Sequence, residues 1–596
     1  MPRRGLIGAA ASERPRVHIA GDGGDDIDDH PGDSRTAAPS RARLRDHPRL
    51  VAVAAGLTAL EAGVVAVAGV PGAAALAPQA AAPTPFDVFH DLRWLLVYHQ
   101  SWLAFVLEAL ALVAVRSLVV VTLVGAAWPA SMPRPPWRDE LRRAAGFVAV
   151  VAAVLLPFAV LTFAMAVVAL SWLFFVAVPV LLMAALLVHR GIVVPGWWRD
   201  RPTWATVRVI LVAFVGLSVA GAAISAAPVA ARVPLAAIAG VVDAWCWLRL
   251  VEALAGTAPQ PRGRPFVLVA LVGIAALVVG GTAAGFAVSV AVEEGRTPVP
   301  PVATDATGPP VLIVKGFNSE WDGVTRQWVR GRYRIRRFSY RGLDRNGEPR
   351  RYGRADTHQS VQDLAVELGR QVDAFAARTH ERVSIVAESE GSVVALAYVA
   401  ATPRAPVRAV VALSPLLAPG RVYYPPVGSD GWGTAAGSIL DGIARALSLV
   451  GPVDVSADTP LFRSFVDEGP VLRGLVRCPP PGRRELAVLP LDSGVSAPGP
   501  IDVRVRHAVV PAFHGGLLGD HTTAALIRDV VAGRSASGPG FWPGVADAVS
   551  ALAAGWQAPG LDQSLEPAWR HLPGPDDCAA GRAALRRWIA SARRGP

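Results

Sequence analysis

The chain has 596 residues, more than one domain normally holds, so at least two domains are expected. Hydrophobic residues make up 52% of the chain and charged residues only 18%, a balance typical of membrane proteins. The net charge of +11 does not indicate nucleic-acid binding, because no basic run is interleaved with aromatic residues. Nearly all of the basic residues are arginine, and Lys315 is the only lysine.

Residues 1–48 predict a disordered cytoplasmic tail. They mix arginine and proline with an acidic stretch, GDGGDDIDDHPGD. This stretch lacks the complete twelve-residue loop and closing glutamate of a calcium site, so we interpret it as solvated charge. The first apolar run begins too late for a cleavable signal peptide.

Residues 49–292 predict an α-helical transmembrane bundle, because their apolar stretches match the length that a helix needs to cross a bilayer. Arginines concentrate in the tail and in alternate loops. By the positive-inside rule this places the N-terminus in the cytoplasm and the C-terminal half outside it. The predicted spans number about seven: 50–70, 97–124, 144–166, 168–188, 207–227, 233–255 and 265–291.

Several ionisable residues lie inside predicted spans, and Glu108 and Asp243 are the least easily explained among them. A charge in hydrocarbon is costly and is usually paired or functional. No broken-helix or repeat pattern accompanies these residues, which favours structural pairing over a transport pathway.

A second domain is predicted at 311–534, after a proline-rich linker at 293–310. Short apolar strands alternate there with helical segments, an order that predicts right-handed βαβ units and a mostly parallel sheet with helices on both faces. The less regular stretch 416–483 predicts a cap or lid. Residues 535–596 predict a C-terminal tail with short helices. The strands are predicted at 311–314, 334–340, 383–386, 407–415, 485–492 and 504–513.

The stretch RVSIVAESEGSVVALAYVA, residues 382–400, predicts a buried strand, a sharp turn at Ser389 and a helix. Ala387 and Gly391 are small, as a turn with closely approaching backbones requires. Downstream, Asp492 ends the strand LPLD and His514 lies in AFHGG. A serine becomes an effective nucleophile when a nearby base takes its proton.

These stretches, together with VLIVKGF at 311–317, resemble the α/β-hydrolase fold, in particular its lipases and esterases. AESEG corresponds to the family pattern G-x-S-x-G, with alanine in the first position, and the order serine, acid, histidine is the family's. The resemblance covers about 311–533. It implies Ser389 as nucleophile, His514 as base and Asp492 as the residue that orients the base.

The resemblance also implies an oxyanion hole made by the main-chain N–H groups of Phe317 and Glu390, with Asn318 as a further contributor. No cofactor and no metal are implied. The assignment leaves alternatives. His521 and His507 compete with His514, and Asp467 and Asp520 compete with Asp492, which is favoured because it ends a strand.

The region departs from the family pattern in two places. Lys315 stands before Gly316 where the family usually has histidine. Glu388 and Glu390 flank Ser389, and negative charges there would oppose a developing oxyanion. We therefore expect Lys315 to pair with one of the two glutamates.

The sequence predicts a multi-pass membrane protein whose extracytoplasmic domain cleaves acyl esters, with lipid or cell-envelope molecules as substrates. The alternatives are a catalytically inactive recognition module, an acyltransferase that uses the same three residues, and a transporter or sensor based on the bundle. Cys478 and Cys578 could form a disulfide in an oxidising compartment, whereas Cys246 lies in a span. The oligomeric state is left open.

Overall fold

The described residues of the N-terminal bundle form seven α-helices. The computed structural model describes residues 43–593 except 170, 189, 192, 194–201, 256–307, 324–332, 450–454, 481, 498, 500, 537 and 539. A buried 3-10 segment, Pro71–Ala81, lies between the first two helices. The helices are α1 (Pro48–Val67), α2 (Phe86–Val97), α3 (Trp102–Ala127), α4 (Trp137–Val168), α5 (Trp172–Val188), α6 (Trp204–Ala226) and α7 (Val229–Ala255).

Within the described residues, five of these helices are long and apolar enough to cross a membrane: α1, α3, α4, α6 and α7. The prediction of about seven spans is therefore wrong in number. Helix α5, predicted as a full span at 168–188, has only 17 residues. The last predicted span, 265–291, lies outside the described residues, as do residues 1–42 of the predicted tail.

The bundle carries its own buried polar contacts. Arg116 of α3 is buried and donates from Nε to Asp91 Oδ2 at 2.7 Å. Asp91 also accepts from His90 at 2.9 Å, so charged groups inside the bundle neutralise one another. Glu108 is exposed on α3, whereas Asp243 is buried on α7 and its Oδ2 has no hydrogen-bond partner among the described residues.

A six-stranded parallel sheet forms the core of the C-terminal domain. Its order is β2-β1-β3-β4-β5-β6, and every neighbouring pair is parallel. The chain reverses its direction of winding between β1 and β3, and ligands bind at such switch points, at the carboxyl ends of the strands. The strands are β1 (Pro310–Val314), β2 (Arg334–Arg337), β3 (Val383–Glu388), β4 (Val407–Leu413), β5 (Arg484–Pro490) and β6 (His507–Val510).

Helices cover both faces of this sheet, as predicted. Leu312 and Val314 of β1 pack on one face with the helices Val361–Thr379 and Glu390–Ala401. Val311 packs on the other face with the helix His521–Val531. This alternation follows from the two-residue period of a strand. The helices are α8 (Val361–Thr379), α9 (Glu390–Ala401), α10 (Thr434–Ser448), α11 (Pro460–Asp467), α12 (Gly469–Arg473), α13 (His521–Val531), α14 (Trp542–Ala553) and α15 (Cys578–Arg593).

Residues 541–593 form part of the packed structure. A disulfide joins Cys478 to Cys578 at the start of α15. The segment after α14 inserts Trp556 against the bundle, where its ring stacks on Phe214 of α6 at 4.8 Å. Its indole N–H donates to Ser218 Oγ at 2.9 Å. The C-terminal segment thus ties the α/β domain to α6.

The bundle and the α/β domain meet at two further helix ends. Just before α3 begins, the carbonyl of His99 accepts from the N–H of Gly433 at 2.9 Å. Near the end of α4, the carbonyl of Val167 accepts from the N–H of Gly420 at 2.6 Å. The N-terminal end of α3 and the C-terminal ends of α4 and α6 therefore lie on the side of the bundle that faces the α/β domain.

Candidate active site

Ser389 lies at the sharp turn between β3 and α9. Its backbone has φ 55° and ψ −123°, a conformation that L residues rarely adopt and that costs about 1–3 kcal/mol. The main-chain N–H of Ser389 donates to Leu413 O at 2.9 Å, and the buried hydroxyl of Ser392 donates to Ala387 O at 2.8 Å. These contacts hold the turn in a form that points the serine outward, beyond the carboxyl end of β3.

The structure brings His514 to Ser389. The loop that follows β6 carries His514, whose Nε2 lies 2.9 Å from Ser389 Oγ. Both side chains are half-buried. Burial lowers the pKa of the imidazole, and the negative charges of Asp492 and Glu388 partly oppose this shift. A neutral imidazole at this distance can accept the serine proton.

Asp492 lies beside His514 but does not hold its ring. Both carboxylate oxygens accept from the main-chain N–H of His514, each at 3.2 Å. The Oδ2 atom also accepts from the hydroxyl of Ser171 at 2.7 Å. Among the described residues, Asp492 has no hydrogen bond to the imidazole. It therefore fixes the loop that carries His514 and contributes negative charge to it.

The loop after β1 packs directly on the turn at Ser389. A Cβ added to Gly316 would lie 2.8 Å from Ser389 Cβ, and one added to Gly391 would lie 2.6 Å from Lys315 O. Only glycine permits this approach of the two backbones. Within the part of the chain that the structure describes, the main-chain N–H groups of Phe317 and Glu390 have no backbone acceptor, as donors to an oxyanion would require.

Asn318 supports this loop by its backbone and its side chain. Its φ of 58° lies in the left-handed region. Its main-chain N–H donates to Thr357 Oγ1 at 3.0 Å, and its Oδ1 lies 2.8 Å from Nε2 of His358. The His358 ring in turn stacks on Phe317, with the ring centroids 4.9 Å apart. Asn318 therefore orders the loop, and its own N–H is already used.

Lys315 pairs with Glu388, one of the two glutamates that flank Ser389. The distance from Nζ to Oε2 is 2.9 Å, and the side chains are 14% and 4% exposed. Lys315 also anchors the loop through its carbonyl, which accepts from the hydroxyl of Tyr340. The cation thus balances a buried carboxylate that would otherwise stand unpaired near the nucleophile.

Glu390 is buried and makes no ion pair. Neither carboxyl oxygen has a hydrogen-bond partner among the described residues. Burial raises the pKa of the Glu390 carboxyl well above its usual range, because the charged form loses its hydration. Burial therefore favours the uncharged form of Glu390, which limits the negative charge beside Ser389.

The alternative acids and bases have other roles or positions. Asp520 caps α13, since its Oδ2 accepts from the N–H of Thr523 at 2.7 Å. Asp467 pairs with Arg463 on α11. His521 is the first residue of α13, and His507 opens β6. The histidine bound to Ser389 is His514.

Ser171 is a site residue that the sequence pattern did not reveal. It lies between α4 and α5, far along the chain from the other site residues. In the uncharged run 144–188 only Thr162 and Ser171 carry a hydroxyl. That isolated hydroxyl was the available signal, but it did not indicate a partner in another domain.

Comparisons with known proteins add no relative. No family model, no curated protein and no solved structure matches the chain. Among the described residues, no three His, Cys, Asp or Glu side chains come together as a metal site requires. The chemistry of the site therefore has to be argued from its own geometry.

Proposed function

We propose that the α/β domain is a serine hydrolase of the esterase or lipase type, with Ser389 as nucleophile and His514 as general base. The observation that carries this proposal is the 2.9 Å contact between Ser389 Oγ and His514 Nε2 at a strained turn. As the hydroxyl attacks an acyl carbon, Nε2 takes its proton and passes it to the leaving alcohol. Water, activated by the same Nε2, then hydrolyses the acyl ester of Ser389 and restores the free hydroxyl. The unused N–H groups of Phe317 and Glu390 supply the oxyanion hole.

The charges around the nucleophile are compatible with this role. Lys315 pairs with Glu388, and burial favours the uncharged form of Glu390. Developing negative charge on the substrate therefore does not face two free carboxylates. Asp492 lies beside His514, where its negative charge opposes the fall in the pKa of the imidazole that burial causes and so favours the imidazolium.

The apolar surroundings of the site favour acyl esters with a hydrophobic part. Phe317, next to the oxyanion loop, is only partly buried and packs on Phe462 with the ring centroids 5.6 Å apart. Phe513, just before His514, is 72% exposed. We therefore extend the proposal to lipid or cell-envelope esters, which a site next to membrane helices would meet.

We also propose that the α/β domain lies outside the cytoplasm. The Cys478–Cys578 disulfide supports this orientation, because disulfides persist in oxidising compartments. Alkaline phosphatase fused after residue 596 should be active and a fluorescent-protein fusion dark. The reverse pattern would place the domain in the cytoplasm.

Labelling with a fluorophosphonate probe tests the proposed function, because such probes modify serines activated by a base. The intact protein should be labelled at Ser389, and Ser389→Ala and His514→Ala should abolish labelling. Ser384→Ala is the matched control, since Ser384 is buried in β3 and its hydroxyl has no partner among the described residues. Labelling that persists in Ser389→Ala would exclude Ser389 as the nucleophile.

One observation favours the alternative of a non-catalytic recognition module. Asp492 binds the main chain of His514 and leaves the ring without the carboxylate hydrogen bond that fixes its tautomer in catalytic triads. The same experiment separates the two functions. A folded protein that takes up no probe over a pH range of about 6 to 9 would support the recognition module.

A further inference from the structure

We propose that Ser171, in the turn between helices α4 and α5, is a positioning residue for Asp492, so that the helical bundle completes the active site. This inference rests on the proposed function. Ser171 is 1% exposed, and its hydroxyl donates to Asp492 Oδ2 at 2.7 Å. It belongs to the N-terminal bundle, whereas Ser389, Asp492 and His514 belong to the α/β domain.

The turn that carries Ser171 is held in the α/β domain by its backbone. The carbonyls of Ala166 and Val167, near the end of α4, accept from the N–H groups of Arg421 and Gly420. Ala169 ends α4 with a φ of 54° and packs in the hydrophobic core of the α/β domain. Ser171 is thus held next to Asp492 by a helix end that packs in the α/β domain rather than by a free surface loop.

Asp492 depends on this contact because its other donor among the described residues is a single N–H. Both of its oxygens share the main-chain N–H of His514, at 3.2 Å each. The hydroxyl of Ser171 is the shorter contact and reaches Oδ2 alone. It therefore limits rotation of the carboxylate, which in turn limits movement of the loop that carries His514. A buried carboxylate that loses such a donor also loses stabilisation of its charge.

A second route connects the bundle to the same acid. Asp492 lies in the 3-10 turn Leu491–Val495, and a Cβ on Gly494 would lie 2.6 Å from Ala546 O of α14. The side chain of Gln557, after α14, donates to Val495 O. The neighbouring Trp556 stacks on α6. Helices α4 and α6 are thus both connected to the turn that contains Asp492, α4 through Ser171 and α6 through the segment of Trp556 and Gln557. The reaction rate of Ser389 should therefore depend on how the bundle packs.

The test compares Ser171→Ala with Ser117→Ala in the full-length protein, using the second-order rate of fluorophosphonate labelling from pH 6 to 9. Ser117 is also buried in the bundle, but its hydroxyl donates to Val113 O of its own helix. Loss of a hydrogen bond to a charged group predicts labelling about tenfold to a hundredfold slower for Ser171→Ala. Ser171→Thr keeps the hydroxyl and should restore most of the rate.

The pH profile separates positioning from a general loss of packing. The charged groups that face His514 are Asp492 and Glu388, and Glu388 is paired with Lys315. Without the Ser171 donor, the Asp492 charge is less neutralised and favours the imidazolium. The acidic limb of the profile should therefore move to higher pH in Ser171→Ala and stay in place in Ser117→Ala.

The outcomes distinguish the inference from the function on which it rests. If the wild-type protein is labelled at Ser389 while Ser171→Ala matches Ser117→Ala in both rate and pH profile, the positioning role is wrong and the hydrolase proposal stands. If the wild-type protein is not labelled, both are wrong. If Ser171→Ala is labelled slowly and Ser171→Thr does not restore the labelling rate, the role of the hydroxyl is also contradicted.

Discussion

The ion pair between Lys315 and Glu388 should be needed for both stability and the pH dependence of the site. Lys315→Ala leaves a buried carboxylate without its cation, which typically costs about 3–5 kcal/mol in the free energy of unfolding. The unpaired Glu388 faces His514 and stabilises its imidazolium. We expect the acidic limb of fluorophosphonate labelling to move to higher pH. At pH values below that limb, the labelling rate should fall about tenfold for each pH unit by which the limb moves.

The double variant Lys315→Ala/Glu388→Gln is the control for this prediction. Removal of both partners leaves no buried charge, so it should restore much of the stability and return the acidic limb towards lower pH. Equal damage in the single and double variants would mean that the lysine acts through its packing rather than its charge.

Because burial raises the pKa of Glu390 in the folded protein, the free energy of unfolding should fall as the pH rises. In the unfolded chain a glutamate loses its proton near about pH 4.3, whereas folded Glu390 keeps it to a higher pH. Between these two values the unfolded state gains about 1.4 kcal/mol per pH unit from ionisation. Glu390→Gln cannot ionise, so its stability relative to wild type should increase from pH 4 to pH 8.

Chemical denaturation in detergent at several pH values would measure this difference. Glu320→Gln is the control, because Glu320 has a 62% exposed side chain and should show no such trend. A Glu390→Gln variant whose stability follows that of wild type at every pH would show that Glu390 is ionised in the folded protein.

At the residue scale, local pattern was informative where function depends on neighbours in the chain. The strand, turn and helix around Ser389 can be recognised because small residues and apolar periodicity lie within twenty positions. That Lys315 pairs with one of the two glutamates could be anticipated from charge alone, but not that its partner is Glu388. Ser171 could not, because its partner Asp492 is 321 residues away and the contact depends on how two domains pack.

At the scale of elements, the Cys478–Cys578 disulfide should contribute strongly to stability. It closes a loop with a sequence separation of 100 residues and joins the start of α15 to the segment after α12. Loss of a native disulfide typically costs about 2–5 kcal/mol, because the unfolded chain gains freedom. Reductant should therefore lower the melting temperature of the wild-type protein.

The variant Cys478→Ser/Cys578→Ser should melt at the temperature of the reduced wild-type protein and should not respond to reductant. Cys246→Ala keeps the bridge, since Cys246 is a free cysteine buried in the bundle, and it should respond to reductant as the wild type does. A melting temperature that is unchanged by reductant in the wild type would contradict this stabilising role.

The type of each secondary-structure element was easier to predict than the number of membrane-spanning helices. The six strands lie at the predicted positions, although β6 is shorter, at His507–Val510, than the predicted 504–513. Hydropathy alone predicted a full span at 168–188, but the chain leaves the helix at Ala169, packs its turn into the α/β domain and resumes at Trp172. Apolar composition cannot distinguish burial in lipid from burial in a neighbouring domain.

At the scale of the whole molecule, the bundle and the α/β domain form one packed structure rather than two domains joined only by a linker. Arg93 of α2 is fully buried and donates from Nη1 to the carbonyls of Gly555 and Gln557, each at 2.9 Å. Gln79, before α2, donates to Gly555 O at 2.6 Å. These polar contacts lie around Trp556, so the interface has a buried aromatic centre surrounded by satisfied hydrogen bonds.

Trp556→Ala should therefore weaken both the interface and the proposed active site. Removal of a buried tryptophan typically costs about 3–5 kcal/mol. Because Gln557 next to it supports the turn of Asp492, fluorophosphonate labelling of Ser389 should also slow.

Trp247→Ala is the matched control. Trp247 is fully buried too, but its indole N–H donates to Ala81 O within the bundle. Both variants should be destabilised to a similar degree. Normal labelling in Trp247→Ala together with slow labelling in Trp556→Ala would show that the interface itself shapes the site. Equal labelling by the two variants would restrict the role of Trp556 to stability.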